Sequence, residues 1–286
     1  GSNALVTEDD YRAGVLAFLR GQSSTPDLGW FDWSNDRSLS EDGKLVLLDE
    51  TGEGGGAKGS VYLRPTDGSP AVRLGDGVGV ALSRDGAWAL TRSQNERRFV
   101  LVPVGAGQPR ELPLDSFDIT TYGAFFPDGS RFAFVDAQPG HGARLYVQAV
   151  SGGPATPITA EGLNVDRCFV SPDGRYVAAL GPDQRIHLYP TSGGAPVDLA
   201  SSEPGDTLSG FNADGTGVYV SQLGSRCRVD LIDVASGRRT HVRDLAGIDA
   251  AGVAKFGPAR VTPDGQTMIA GYGRILSTLY RVTNLR

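Results

Sequence analysis

The sequence predicts an all-β fold: a six-bladed β-propeller whose blades are four-stranded antiparallel sheets and whose ring is closed by an N-terminal strand. Three observations predict it. An Asp-Gly turn recurs six times along the 286 residues, a second hairpin follows the first in each full unit, and the two chain ends carry complementary incomplete units. Repeats of about 40–45 residues with strand-like patterning are typical of propeller blades.

The recurring turn marks the first hairpin of every unit, between strands A and B. It lies in LSEDGKLVLL, LSRDGAWALT, FFPDGSRFAF, VSPDGRYVAA, FNADGTGVYV and VTPDGQTMIA, and successive aspartates are 43, 43, 45, 41 and 50 residues apart. Aspartate and glycine suit the central and exit positions of a tight turn. We therefore predict a structural role for the six turn aspartates: Asp42, Asp85, Asp128, Asp173, Asp214 and Asp264.

A second hairpin supplies strands C and D, as in VYLRPTDGSPAVRL and LYVQAVSGGPATPI, where a glycine-containing turn separates two strand-like runs. The last unit ends in STLYRVTNLR, which we interpret as a strand C without a strand D. The N-terminal GVLAFLRGQSSTPDL is a surplus C–D-like piece. Pairing the two ends would close the ring and hide its edges. A rudimentary seventh blade from ALVTEDD is the alternative.

The length is enough for one large or two ordinary globular domains. We expect residues 1–4 to be an expression-tag remnant and residues 5–286 to form a single propeller domain. A hydrophobic fraction of 40% can build a core, and a net charge of −6 gives no electrostatic help toward nucleic acid. No apolar run approaches the roughly 20 residues that span a bilayer, so we expect no direct membrane insertion by this segment. Cys168 and Cys227 leave the redox compartment open.

A glycine-rich stretch raises an alternative, because Gly54, Gly56, Gly59 and Val61 match the G-x-G-x-x-G-x-V loop that kinases place over ATP phosphates. Residues 62–80 contain no lysine for the following strand, and the order Ala-Lys-Gly-Ser excludes a P-loop. We interpret the stretch as a loop that joins strands B and C of the first blade, and we expect no cofactor.

The repeats resemble the WD40-like PD40 units of TolB-type propellers over nearly the whole chain. Residues 28–77, PGHGARLYVQ and RILSTLYRVTNLR are similar to the C-terminal sensor propeller of bacterial eukaryotic-like serine/threonine kinases. This resemblance implies a regulatory, ligand- or protein-sensing module that follows a kinase and a membrane span and lies outside the cytoplasm. The sequence itself contains neither a kinase domain nor a span.

Strand order places the B–C and D–A loops on one face of the ring, and these loops are the longer and more varied ones. Binding residues commonly lie in such loops. B–C loops carry basic residues and His141, whereas D–A loops carry acids that we expect nearer the channel mouth. The candidate binding residues on this face are Lys58, Arg98, His141, Arg144, Arg185, Arg226, Asp118 and Asp166. The alternative is that the bases are solvated or form rim ion pairs of little energetic value.

The acids, two further histidines and two tryptophans were also considered as site residues. The acids lack the spacing of a calcium loop, so we predict no metal site. His187 and His241 lie in strand patterns and look structural, while Trp30 and Trp33 either pack at the ring seam or stack on a ligand.

Catalysis by this chain is not expected. The turns lack the Asp-box pattern of sialidases, G-x-S-x-G is absent, and no catalytic constellation has usable spacing. The leading hypothesis is a sensory or interaction propeller that binds a small ligand, peptide or partner protein through the B–C/D–A face. A TolB-like protein-binding scaffold is the alternative, and a propeller hydrolase is a third reading.

Overall fold

The structure is a computed structural model that describes residues 2–93, 98–113, 122–246 and 252–285. Its first strand is Ser2–Leu19 (β1). Blade 1 contains Ser34–Leu39, Leu45–Glu50, Ser60–Pro65 and Val72–Asp76 (β2–β5). Blade 2 contains Val78–Leu82, Trp88–Arg92, Arg98–Pro103 and Arg110–Pro113 (β6–β9). Blade 3 contains Gly123–Phe125, Arg131–Asp136, Arg144–Ala149 and Thr156–Pro157 (β10–β13).

The remaining blades continue the same order. Blade 4 contains Phe169–Val170, Tyr176–Leu180, Ile186–Pro190 and Val197–Asp198 (β14–β17). Blade 5 contains Asp206–Phe211, Gly217–Gln222, Cys227–Asp233 and Arg239–Leu245 (β18–β21). Blade 6 contains Val253–Val261 and Thr267–Leu285 (β22 and β23) together with β1. A short 3-10 helix, Glu53–Gly55, lies between β3 and β4. The predicted six-bladed all-β propeller is confirmed.

The ring closes where the two chain termini meet. β1 pairs antiparallel with β23 and so occupies the strand C position of blade 6. Residues 26–28 then take the place of strand D, because Ala17 N–H donates to the Pro26 carbonyl at 3.0 Å and Leu28 N–H to the Val15 carbonyl at 2.7 Å. The predicted closure by an N-terminal strand is therefore confirmed.

Two details of the predicted ends are wrong. STLYRVTNLR is not a separate strand C, because it continues strand B as the second half of β23. ALVTEDD forms part of β1 and not of a seventh blade. Both differences have one cause: each end finds its hydrogen-bond partner in the other, from Ala4↔Val282 to Leu19↔Thr267, so neither end needs to turn back on itself.

The core is divided among the blade interfaces. Buried apolar side chains form six clusters among the described residues, and each joins two neighbouring sheets. Between blades 2 and 3, Phe99 packs edge-on against Phe132 with ring centroids 5.2 Å apart. Between blades 6 and 1, Val15 and Leu28 pack with Leu48. Cys168 and Cys227 are buried, free thiols within two of these clusters.

In each A–B turn the aspartate carboxylate accepts a hydrogen bond from the backbone N–H two residues later. In the first, the Asp42 carboxylate accepts hydrogen bonds from Ser40 Oγ at 2.8 Å and Lys44 N–H at 3.1 Å. The glycine after each turn aspartate has φ between 65° and 73°, a region that L side chains rarely adopt. These turns lie on the face opposite the B–C and D–A loops.

No helix among the described residues is both long enough and apolar enough to span a membrane.

Candidate functional site

A cavity of about 470 Å³ opens at the centre of the B–C/D–A face. Its rim and walls are formed by the innermost strands, by residues that lead into them, and by the paired strands β1 and β23. The charged residues that line it are Arg12, Asp36, Arg37, Arg167, Lys255 and Arg274, and its aromatic residues are Tyr11, Trp33, Tyr122 and Tyr272. Among the described lining residues, five are basic and one is acidic. We call this space the mouth cavity.

A cluster of charged residues that we call the floor lies at the inner end of the mouth cavity: Asp36, Arg37 and Arg167 line the cavity, whereas Arg260 lines a separate space on the opposite face. Asp36, Arg167 and Arg260 are 8%, 5% and 6% exposed. Asp36 Oδ2 accepts from Arg167 Nη2 at 3.0 Å and from Arg260 Nε at 2.9 Å. Arg167 also donates to the carbonyls of Pro258 and Ala259, each at 3.2 Å. Blades 1, 4 and 6 are thus tied together across the channel by one carboxylate.

The floor also contains a second charged pair. Arg37 Nε is 2.5 Å from Asp49 Oδ2, and that carboxylate oxygen also accepts from Gly79 N–H at 3.1 Å. The Tyr122 ring lies between two guanidinium groups, 5.7 Å from that of Arg37 and 5.8 Å from that of Arg167. These contacts hold both arginines at fixed positions in the floor.

A rigid aromatic segment borders the cavity. We call residues 30–33 the aromatic loop; it joins residues 26–28 to the innermost strand of blade 1. Trp30 N–H donates to Ser34 Oγ at 2.8 Å, and that hydroxyl in turn donates to Glu50. The Asp32 carboxylate accepts from the N–H groups of the B–C loop of blade 1, Glu53 at 3.2 Å among them. The loop therefore presents its aromatic side chains from a well-anchored backbone.

A two-stranded ribbon rises from the same face. Residues 4–12 of β1 pair with residues 274–282 of β23, whereas the pairing of β22 with β23 ends at Val253↔Arg274. We call this part the terminal ribbon. Its base adjoins the aromatic loop, because Ala13 N–H donates to the Asp32 carbonyl at 3.0 Å. A two-stranded ribbon alone is of marginal stability in water.

Exposed apolar side chains are concentrated on this face. Of the sixteen large apolar side chains that are exposed among the described residues, thirteen lie on the B–C/D–A loops or on the terminal ribbon. They are Leu5, Val6, Tyr11, Ile275, Leu276, Leu279, Tyr280 and Val282 of the ribbon, Trp30, Phe31 and Trp33 of the aromatic loop, and Val165 and Leu223 of other loops. The remaining three, Val72, Val197 and Val242, lie on outer D strands.

Several predicted binding residues are engaged within their own blades. Arg98 pairs with Glu111 at 3.0 Å, and Arg185 donates to the Ser202 carbonyl at 3.1 Å. His141 and Arg144 are brought together, because both contact the Glu161 carboxylate. The structure therefore groups two of the candidates, but around an acid outside the mouth cavity.

The other candidates lie apart. Lys58 and Arg226 are exposed on separate loops, and Asp166 Oδ1 accepts from the adjacent Arg167 N–H at 2.7 Å. Asp118 lies outside the described residues. The candidate binding residues stay predictions, and their expected arrangement, acids nearer the channel and bases further out, differs from the mainly basic lining that the described residues give the mouth cavity.

Glu161 has an unusual environment for an exposed carboxylate. Gly142 N–H donates to it at 3.0 Å, and this hydrogen bond, with those of Arg144 and His141, lowers the pKa of Glu161 to about 2. A lowered pKa in the folded state means that the interaction stabilises the fold above the ordinary pKa of 4.5 and is lost as the pH falls toward about 2.

We expect Glu161→Gln to be less stable than the parent protein near neutral pH, and the difference to shrink between about pH 4.5 and 2. Urea unfolding of both proteins across that range measures the difference directly, because the other carboxylates titrate alike in both. A difference that is constant with pH would contradict the assigned contacts.

The described residues show no group of three or more His, Cys, Asp or Glu side chains placed to hold a metal ion. Burial raises the pKa of the Cys168 thiol to about 12 and also raises that of Cys227, so neither thiol is activated as a nucleophile.

The charged floor was not predicted from the sequence. Asp36, Arg37, Arg167 and Arg260 precede a turn aspartate by four to six residues, within segments that become innermost strands or lead into them. Charged residues at positions expected to be buried were the available signal, since buried charges require partners.

No protein-family model matches the chain, and comparison with curated proteins also finds no match. Solved structures do match. A protein of Agrobacterium tumefaciens assigned as TolB is 19% identical with a TM-score of 0.66, covering 93% of this chain and 99% of that one. Nidogen in its complex with laminin is 11% identical with a TM-score of 0.60, covering 82% and 94%. An oligogalacturonate lyase of Vibrio parahaemolyticus is 13% identical with a TM-score of 0.59, covering 94% and 78%. At these identities the likeness shows a TolB-like propeller fold.

Proposed function

We propose that this chain is a non-catalytic, TolB-like scaffold that binds a partner protein on its B–C/D–A face. The observation that carries the proposal is the uneven distribution of exposed apolar side chains, thirteen of sixteen among the described residues lying on this face or on its ribbon. Contiguous exposed apolar surface commonly marks an interaction site. The solved complex of nidogen with laminin is consistent with protein binding by a propeller.

Local rigidity supports the proposal. Trp30 lies against Arg64, with the guanidinium carbon 5.1 Å from the ring centroid, and Phe31 packs edge-on against Tyr62 at 6.0 Å. Aromatic and arginine side chains held in place before binding lose little conformational entropy on docking and are frequent hot spots of interfaces. The aromatic loop and the terminal ribbon together form the proposed docking surface.

The test uses a photo-crosslinking amino acid at Leu279 or at Val72. These side chains are 63% and 60% exposed, but Val72 lies on an outer D strand. In an extract of the cells that produce the protein, we expect one discrete crosslinked partner from Leu279 and none from Val72. The identified partner, once purified, should bind the Leu279→Asp variant about tenfold more weakly or worse by calorimetry. Equal crosslinking from both positions, or crosslinking only to a second copy of the chain, would contradict the proposal.

The finer proposal is a regulatory role beside a serine/threonine kinase, which rests on the resemblance of residues 28–77 and of the C-terminal tail. The identity of the crosslinked partner decides it: a kinase, or a protein that alters one, supports the regulatory role.

A further inference from the structure

We propose that the mouth cavity binds a carboxylate carried by an acidic segment of the partner protein. The inference rests on the proposed function, because it assigns to the partner the group that enters the cavity between the terminal ribbon and the aromatic loop. Tyr11 of the ribbon and Trp33 of the aromatic loop both line the cavity.

The charged side chains of the floor carry more positive than negative charge among the described residues. Asp36 is the shared partner of two buried guanidinium groups, those of Arg167 and Arg260. The third arginine, Arg37, has its own carboxylate in Asp49. One unit of positive charge at the floor is thus unmatched among the described residues. Burial, and then the nearby Arg167, lower the pKa of Arg260 to about 10, as expected for two cations held close together.

The wall of the mouth cavity also carries basic side chains. Lys255 is exposed and lines the cavity, as does Arg274. Among the described residues the lining has five basic side chains and one acidic one. Arg12 and Arg37 pair with Asp10 and Asp49 outside the lining, and the excess of positive charge that remains contrasts with a chain whose net charge is −6. Clefts lined by one sign of charge focus the field and concentrate ligands of opposite charge. The lining therefore selects an anionic group.

The surroundings of the cavity favour a carboxylate over a phosphate. Guanidinium groups bind both carboxylate and phosphate. The cavity walls include four aromatic rings, and an exposed apolar surface adjoins them on both sides. Aromatic and apolar surroundings suit a peptide segment that carries a carboxylate better than they suit a strongly hydrated phosphate ion. The ligand is accordingly a glutamate- or aspartate-containing segment.

The experiment uses an acetylated and amidated hexaglutamate peptide as the probe, with hexaglutamine as the uncharged peptide and inorganic phosphate as the free anion. Binding is measured by calorimetry at low salt, where charged contacts are strongest. We expect hexaglutamate to bind and the other two to bind at least about tenfold more weakly.

The chain offers a matched control variant, because Lys255 lines the cavity whereas Lys44 lies at an A–B turn on the opposite face. We expect Lys255→Glu to weaken hexaglutamate binding about tenfold or more, and Lys44→Glu to change it less than about twofold. Both residues are exposed, so the variants should fold.

Four results would overturn the inference: no binding of hexaglutamate, equal binding of hexaglutamine, tighter binding of phosphate, or equal weakening by Lys44→Glu. Its failure is distinguishable from failure of the proposed function. A partner that crosslinks through Leu279 and binds the Lys255→Glu variant normally keeps the scaffold function and removes the carboxylate site. Hexaglutamate binding without any partner crosslinked through Leu279 keeps the site and removes the proposed docking surface.

Discussion

Replacing Asp36 by alanine is expected to lower the free energy of unfolding by about 3–5 kcal/mol, because removal of one partner from a buried ion pair leaves an uncompensated charge. The loss of stability is large here because two buried cations depend on one carboxylate. Arg167 and Arg260 both donate to Asp36 Oδ2, at 3.0 and 2.9 Å, and both are almost fully buried. Without the carboxylate, two cations would face each other in the channel. The cost falls on the contacts between blades 1, 4 and 6.

Urea unfolding followed by circular dichroism measures this loss. The Asp36→Asn variant keeps an oxygen acceptor without the charge and should fall between the alanine variant and the parent protein. Asp67→Ala is the matched control, since Asp67 is an exposed aspartate that accepts from Ser69 N–H at 2.8 Å in a C–D turn. It should cost no more than about 1 kcal/mol. Equal midpoints for Asp36→Ala and Asp67→Ala would show that the floor does not hold the blades together.

Local chemistry explains why the fold was predictable. In the fourth blade the Asp173 carboxylate accepts from Ser171 Oγ at 2.6 Å and from Arg175 N–H at 3.0 Å, so serine, aspartate and glycine together specify the turn. Both partners lie two residues from Asp173. Signals of that kind are visible in a sequence, and their spacing gave the blade count.

The floor was not predictable in the same way, because its partners are far apart in the chain. Asp36 and Arg167 are 131 residues apart, and Asp36 and Arg260 are 224 apart. Only the closed ring brings them to one channel. The predicted binding residues were loop charges, and among the described residues several of these pair within their own blade, as Arg98 does with Glu111.

The terminal ribbon was missed for a related reason. Gly271 and Gly273 resemble a turn between two strands, but β1 pairs with this stretch and keeps it extended. The facing strand β1 also depends on a glycine at this point. A Cβ on Gly14 would lie 2.6 Å from the Tyr272 ring, so Gly14 makes room for that aromatic side chain of β23. The pairing that overrides the turn signal comes from the opposite end of the chain.

Val15→Asp is expected to have an effect of similar size, through ring closure. Val15 is fully buried in β1 and packs in the cluster that joins blade 6 to blade 1. The substitution removes the burial of a valine side chain, worth about 1.5–3 kcal/mol, and places a carboxylate in a cluster of apolar side chains. We expect a total loss above about 4 kcal/mol, or failure of the ring to close.

The same strand supplies the control for this prediction. Leu5 also lies in β1, on the terminal ribbon, and is 70% exposed. Leu5→Asp should change the free energy of unfolding by no more than about 0.5 kcal/mol in urea unfolding. Size-exclusion chromatography adds an independent readout, because an opened ring would expose unpaired strand edges and associate. If Val15→Asp stayed monomeric and unfolded at the urea concentration of Leu5→Asp, β1 would not be the strand on which closure depends.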